Sequence, residues 1–104
     1  DSKEVDIDIE IDGTRFAIMC KDWTRDIGPS VIQTFDGILT QLKSGTVGVV
    51  VTPDEGNFSF NCIKRAKNSI HHIILTKKSY ICRDLKIGKQ SFEQLKKYVE
   101  TICL

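Results

Sequence analysis

The chain has 104 residues, 40% apolar and 28% charged, which suits one globular domain with a modest core and excludes a disordered polymer. No apolar run approaches the roughly 20 residues that cross a bilayer, and the acidic N-terminus is unlike a signal peptide, so an intracellular protein is expected. The net charge of +1 hides a division: residues 1–52 hold nine acids and five bases, residues 53–104 five acids and ten bases. An acidic half beside a basic half can place a cation next to a polyanion, although solvated surface charge alone gives the same counts.

In chain order, the first predicted element alternates with period two. Val5, Ile7, Ile9 and Ile11 are apolar while Asp6, Asp8, Glu10 and Asp12 are acidic, the pattern of a half-buried strand. Asp12-Gly13 suits a two-residue primed hairpin turn, and Thr14 to Lys21 reads as the returning strand. After a turn-rich connector, Val31, Phe35, Ile38 and Leu42 form a core-facing helical stripe, with Ser30 as a candidate cap and Gly45 as a stop. Residues 46–52 (TVGVVVT) have the continuous apolar character of a strand buried on both faces. A second helix is expected over 59–68, with Phe60, Ile63 and Ala66 inward and Lys64, Arg65 and Lys67 outward. A second buried strand is expected over 70–75 and a short edge strand over 80–85. A last helix capped by Ser91 would bury Phe92, Leu95, Val99 and Ile102. The order predicts a three-layer α/β domain whose mixed sheet starts with an antiparallel hairpin and carries helices on both faces. The cysteines Cys20, Cys62, Cys82 and Cys103 form no CxxC pair and no zinc-finger spacing, so reduced thiols are expected.

The turn sets a register in which opposed residues have numbers summing to 25. Asp6 then faces Met19, Glu4 faces Lys21, and these residues share one patch with Asp8 and Glu10. A hard divalent cation takes one or two carboxylates plus water and substrate phosphate, and an adjacent ammonium can orient a water and offset charge on phosphorus. An acid on one strand beside acid-x-lysine on the next is a minimal phosphodiesterase arrangement. Met19 stands where the second acid belongs, and methionine is a poor magnesium ligand.

Residues 5–23 (VDIDIEIDGTRFAIMCKDW) resemble the core of the Mrr-like restriction endonuclease family, a branch of the PD-(D/E)xK nuclease superfamily. The likeness continues in Ile27 and Val31, in Val49-Val50-Val51-Thr52, in Phe58 and in Ile73-Ile74-Leu75. It implies a restriction-endonuclease-like fold over 1–104 and metal-dependent cleavage of DNA with Mg2+ or Mn2+. Asp6 matches the metal-binding acid, Lys21 the catalytic lysine, and Cys20 the residue whose backbone carbonyl completes the metal shell. Glu4 could supply the oxygen that Met19 lacks. The family places a helix before the first strand, so the chain reads as one domain of a larger protein or as one whose helix comes from a homodimer partner. Lys77 and Lys78 would contact the DNA backbone. Two competing readings stay open: a catalytically inactive nuclease-fold module that binds nucleic acid or protein, and an unrelated small α/β domain that binds a protein partner. Solvated charge for the acids, an exposed or structural role for His71 and His72, and a packing role for Trp23, Met19 and Cys20 are the plainer readings of the same residues.

Overall fold

The alternating acids and the Asp-Gly turn form the hairpin that the sequence calls for. The computed structural model describes residues 5–21 and 26–103. Strands β1 (Ile7–Ile11) and β2 (Thr14–Cys20) are joined by Asp12 and Gly13, whose φ angles of 51° and 84° are those of a primed turn. Helix α1 (Ser30–Gln41), strand β3 (Val47–Thr52), helix α2 (Phe60–Lys67) and strand β4 (Ile73–Lys77) follow. A 3-10 turn (Lys78–Tyr80) leads into α3 (Ile81–Leu85) and α4 (Lys89–Ile102).

The sheet runs β1-β2-β3-β4, with β1 antiparallel to β2 and the remaining pairs parallel. Each face carries its own core. On one side Ala17, Met19 and Val50 pack under α1 and α2. On the other, Ile7, Ile18, Val49 and Val51 pack against α3 and α4. The three-layer mixed architecture therefore stands, and β3 is buried on both faces as its composition requires.

Several local expectations are corrected. Pro29 occupies the N-cap of α1 and Ser30 is already helical, in keeping with proline's pre-set φ near a helix start. In α2, Phe60 is 78% exposed and Ile63 is also exposed, while Cys62 and Ala66 face the core. Their small side chains, four apart, let α2 lie close to α1 and the sheet. Burial pushes the Cys62 thiol up from its ordinary value, which marks an inert packing cysteine. Strand β4 begins three residues late because residues 69–72 are held in a turn. The Ser69 hydroxyl donates to the Asp36 carboxylate, and the His71 N–H donates to Ser69 Oγ at 3.0 Å. His71 also meets Thr40 Oγ1 at 3.1 Å. Residues 80–85 are not an edge strand but the end of the 3-10 turn and α3. The last helix starts at Lys89 with Gly88 as its N-cap, and Ile102 is exposed.

The expectation of four reduced thiols fails at Cys20 and Cys103, which form a disulfide across 83 residues of chain. Leu95 and Val99 seat α4 on the sheet, and this brings the Cα atoms of the two cysteines within 5.3 Å. Local spacing carries no trace of a contact made by tertiary packing. Among the described residues no helix is long and apolar enough to cross a membrane.

Gly48 shows how tightly α1 lies on the sheet. A Cβ there would stand 2.8 Å from Leu39 Cδ1 and 3.2 Å from the Phe35 ring, and both neighbours are buried. Gly48→Ala is therefore expected to cost about 1–3 kcal/mol, read as a lower urea midpoint at an unchanged slope.

Candidate active site

In open sheets of parallel strands, ligands bind beyond the carboxyl ends of the strands. Here that end collects the last residues of β2, β3 and β4, together with the entry to β1. The parallel registers put Cys20 beside Val51 and Thr52 beside Lys77, and the Lys21 N–H continues the ladder to the Val51 carbonyl at 2.8 Å. The expected lysine is thus carried just past the end of a buried strand.

Asp6 reaches the same place by a departure from the hairpin. The register follows the expected sum of 25 from Ile11↔Thr14 to Ile7↔Ile18 and then slips. The Asp6 N–H donates to the Ile18 carbonyl at 2.9 Å, one residue out of step, as a β-bulge requires. An unbroken ladder would give the Cys20 N–H to the Val5 carbonyl. Instead it donates to Asp6 Oδ2 at 2.8 Å. The expected pairing of Asp6 with Met19 is corrected accordingly.

Asp6, Cys20, Lys21 and Lys78 border one cavity of about 250 Å3, together with Val51 and Pro53 from the end of β3 and with Ile102 and Cys103 from the end of α4. Met19 is not part of it. It is 1% exposed and belongs to the core beneath α1 and α2, a packing methionine as its chemistry suggests. Asp8 also stays outside, because Arg15 grips its carboxylate in two hydrogen bonds of 2.8 and 2.5 Å and holds it below the ordinary carboxylate range. Glu10 lies further along β1, opposite Arg15. Among the described acids of β1 and its entry, Asp6 borders this cavity, and it shares an adjoining one with Asp8, Tyr98 and Ile102. Glu4 and Trp23 lie outside the described residues.

Lys77 and Lys78 follow each other at the end of β4 but have different surroundings. The Lys77 ammonium donates to the Asp54 carbonyl at 3.0 Å, whereas Lys78 borders the cavity. Asp54 lies in the loop that leaves β3. Its carboxylate accepts the Ser79 N–H at 3.1 Å and the Ser79 hydroxyl, and so ties the loop after β3 to the residues that follow β4. Nothing in local spacing announces a bond across 25 residues. At the end of β3, Thr52 Oγ1 is buried without a hydrogen-bond partner, and a Cβ on Gly56 would come 2.3 Å from it. A side chain at position 56 cannot be accommodated beside this hydroxyl without movement.

Among the described residues no three of His, Cys, Asp and Glu gather as a metal cluster. At the cavity the hard donors are the Asp6 carboxylate and backbone oxygen. That donor set fits a magnesium ion that keeps most of its water and completes its shell with substrate phosphate, and it does not fit a preformed cage.

The profile of the restriction endonuclease family of Mrr catalytic type matches residues 1–85. The chain belongs to that family. No curated protein and no solved structure matches it. The match makes the architecture a restriction-endonuclease-like fold and the function nuclease-type, and it sets aside the reading as an unrelated α/β module. Helix α4 lies beyond the matched residues of this family member.

Ser79 and the nearby Lys77 and Lys78 hold the Asp54 carboxyl below its usual 3.8. A depressed carboxyl contributes stability above its unfolded pKa and loses it as pH falls through the folded value. The tie between the two loops should therefore persist at neutral pH and loosen as pH falls below 3.8. Ser79→Ala should bring the Asp54 titration, followed by carbon NMR of its carboxyl, back toward that value.

Proposed function

We propose that this domain binds DNA and hydrolyses its phosphodiester bonds with the help of Mg2+ or Mn2+. The observation that carries the reading is the meeting of Asp6 and Lys21 at one cavity bordered by a further cation, Lys78. The Asp6 carboxylate and the Cys20 carbonyl would hold the ion. When bound, the ion supplies Lewis-acid stabilisation of the charge that grows on the phosphoryl oxygens. The Lys21 ammonium orients the attacking water and offsets that same charge. Hydrogen bonding to the Cys20 N–H fixes the rotamer of Asp6 before any ligand arrives, which lowers the ordering cost of binding. Lys78 takes a neighbouring phosphate, while Lys77, with one of its three donors on the Asp54 carbonyl, steadies the loop beside it.

A second reading is favoured by one observation. Met19 sits in the apolar core at the position where the resemblance calls for a polar or acidic residue, so among the described residues one carboxylate, Asp6, borders the cavity. On this reading the fold binds DNA and does not cut it.

Plasmid nicking in Mg2+ or Mn2+ separates the two. The first reading predicts cleavage that Lys21→Ala and Asp6→Ala each lower by roughly 100-fold or more, with DNA affinity largely retained. Salt-dependent binding without nicking in either metal would establish the second. Under both, Lys78→Ala should reduce the slope of log affinity against log salt by about 1.

A further inference from the structure

The Cys20–Cys103 bond joins two residues that both border the candidate site. Cys20 directly precedes Lys21, and its N–H holds Asp6. Cys103 directly follows α4, the helix outside the family match. The bond therefore ties α4 to the strand end that carries the site, and Ile102 and Cys103 form part of the cavity border with Asp6 and Lys21. Leu95, Val99 and Cys103 are buried on the sheet side of α4, while Tyr98 and Ile102 are 45% and 43% exposed.

We propose that the Cys20–Cys103 disulfide is a thiol-responsive latch that holds the end of α4 across the Asp6–Lys21 cavity, and that reduction by a dithiol opens the cavity to a polynucleotide. The latch rests on the reading of this cavity as a phosphodiester site. With the bond intact, a cavity of about 250 Å3 is bordered on the α4 side by residues that cannot withdraw. A polynucleotide has to extend beyond the cleaved phosphate in both directions, so a movable border controls its entry.

The exchange balances. A thiolate of the reductant attacks one sulfur of the bridge, the S–S bond breaks, and the other cysteine leaves as thiolate. The second thiol of the reductant then displaces the remaining cysteine. The protein gains two electrons and, on protonation, two protons, and the reductant ends as a disulfide. Released, the last turn of α4 keeps Leu95 and Val99 in place and moves only its end.

The test acylates lysine amines with a small activated ester on the full chain and reads each site by peptide mass spectrometry. Oxidised chain, dithiothreitol-reduced chain, Cys103→Ser, and reduced chain rebridged with dichloroacetone are compared. The expected result is a several-fold faster acylation of Lys21 on reduction, the same fast rate in Cys103→Ser, and the slow rate in the rebridged chain. Lys43 and Lys64 should be unchanged and near-UV circular dichroism retained. Three results overturn the latch: an unchanged Lys21 rate with the bridge shown to be open, an equal rise in the rebridged chain, or loss of the near-UV signal on reduction. The last would make the bond a staple for the whole fold. Plasmid nicking in the same samples keeps the two claims apart. Thiol-dependent acylation without nicking in any state retains the latch and removes the cleavage reading. Nicking and acylation that both ignore the thiol state remove the latch and retain cleavage.

Discussion

One carboxylate decides how this sheet ends. The Cys20 N–H points from the last residue of β2 toward β1, where a regular hairpin would offer it the Val5 carbonyl. The slip at Asp6 takes that carbonyl out of step, and the Asp6 side chain accepts the N–H in its place. A hydrogen bond from an amide to a charged acceptor contributes about 1.5–3 kcal/mol, enough to fix both partners at a strand end that would otherwise fray. The same bond holds Asp6 at the mouth of the cavity, on the residue that directly precedes Lys21. Site geometry and strand termination are one event.

The rest of the architecture serves that end of the sheet. Parallel pairing of β2 with β3 carries Lys21 to Val51, and pairing of β3 with β4 carries Lys77 to Thr52. Two cores clamp β3 from both faces, so the strand that backs the cavity has no freedom to shift. The tie from Asp54 to Ser79 then joins the loops that leave β3 and β4. The acidic and basic halves of the sequence meet here as Asp6 from one and Lys78 from the other. The unequal charge distribution thus has a structural counterpart at one cavity, while Asp8 of β1 and Arg15 of β2 neutralise each other across the hairpin.

What could be read from the sequence was what depends on local period and turn chemistry. The hairpin register follows from Asp12-Gly13, and β3 from its continuous apolar run. The inward positions of α1 followed from a period near 3.6. The convergence of residues 6 and 21 was expected, but by a different route, because a one-residue bulge leaves no mark in an alternating pattern whose next members are masked by further acids. Hydrophobicity alone turns Phe60 and Ile63 inward, whereas close packing of α2 selects Cys62 beside the expected Ala66. The late start of β4 came from Ser69 and Asp36 bonding across 33 residues, and the disulfide from packing across 83. Contacts of that range are set by the tertiary fold and are invisible to any local window.

The most direct test is amide hydrogen–deuterium exchange at Cys20, read by NMR against Val50 as an internal reference in the buried strand. If the Asp6 carboxylate holds this N–H, exchange at Cys20 should be slower by roughly 10- to 150-fold than in Asp6→Ala, with Val50 protected alike in both. Equal exchange at Cys20 in the two chains, with Val50 still protected, would contradict the account at its root.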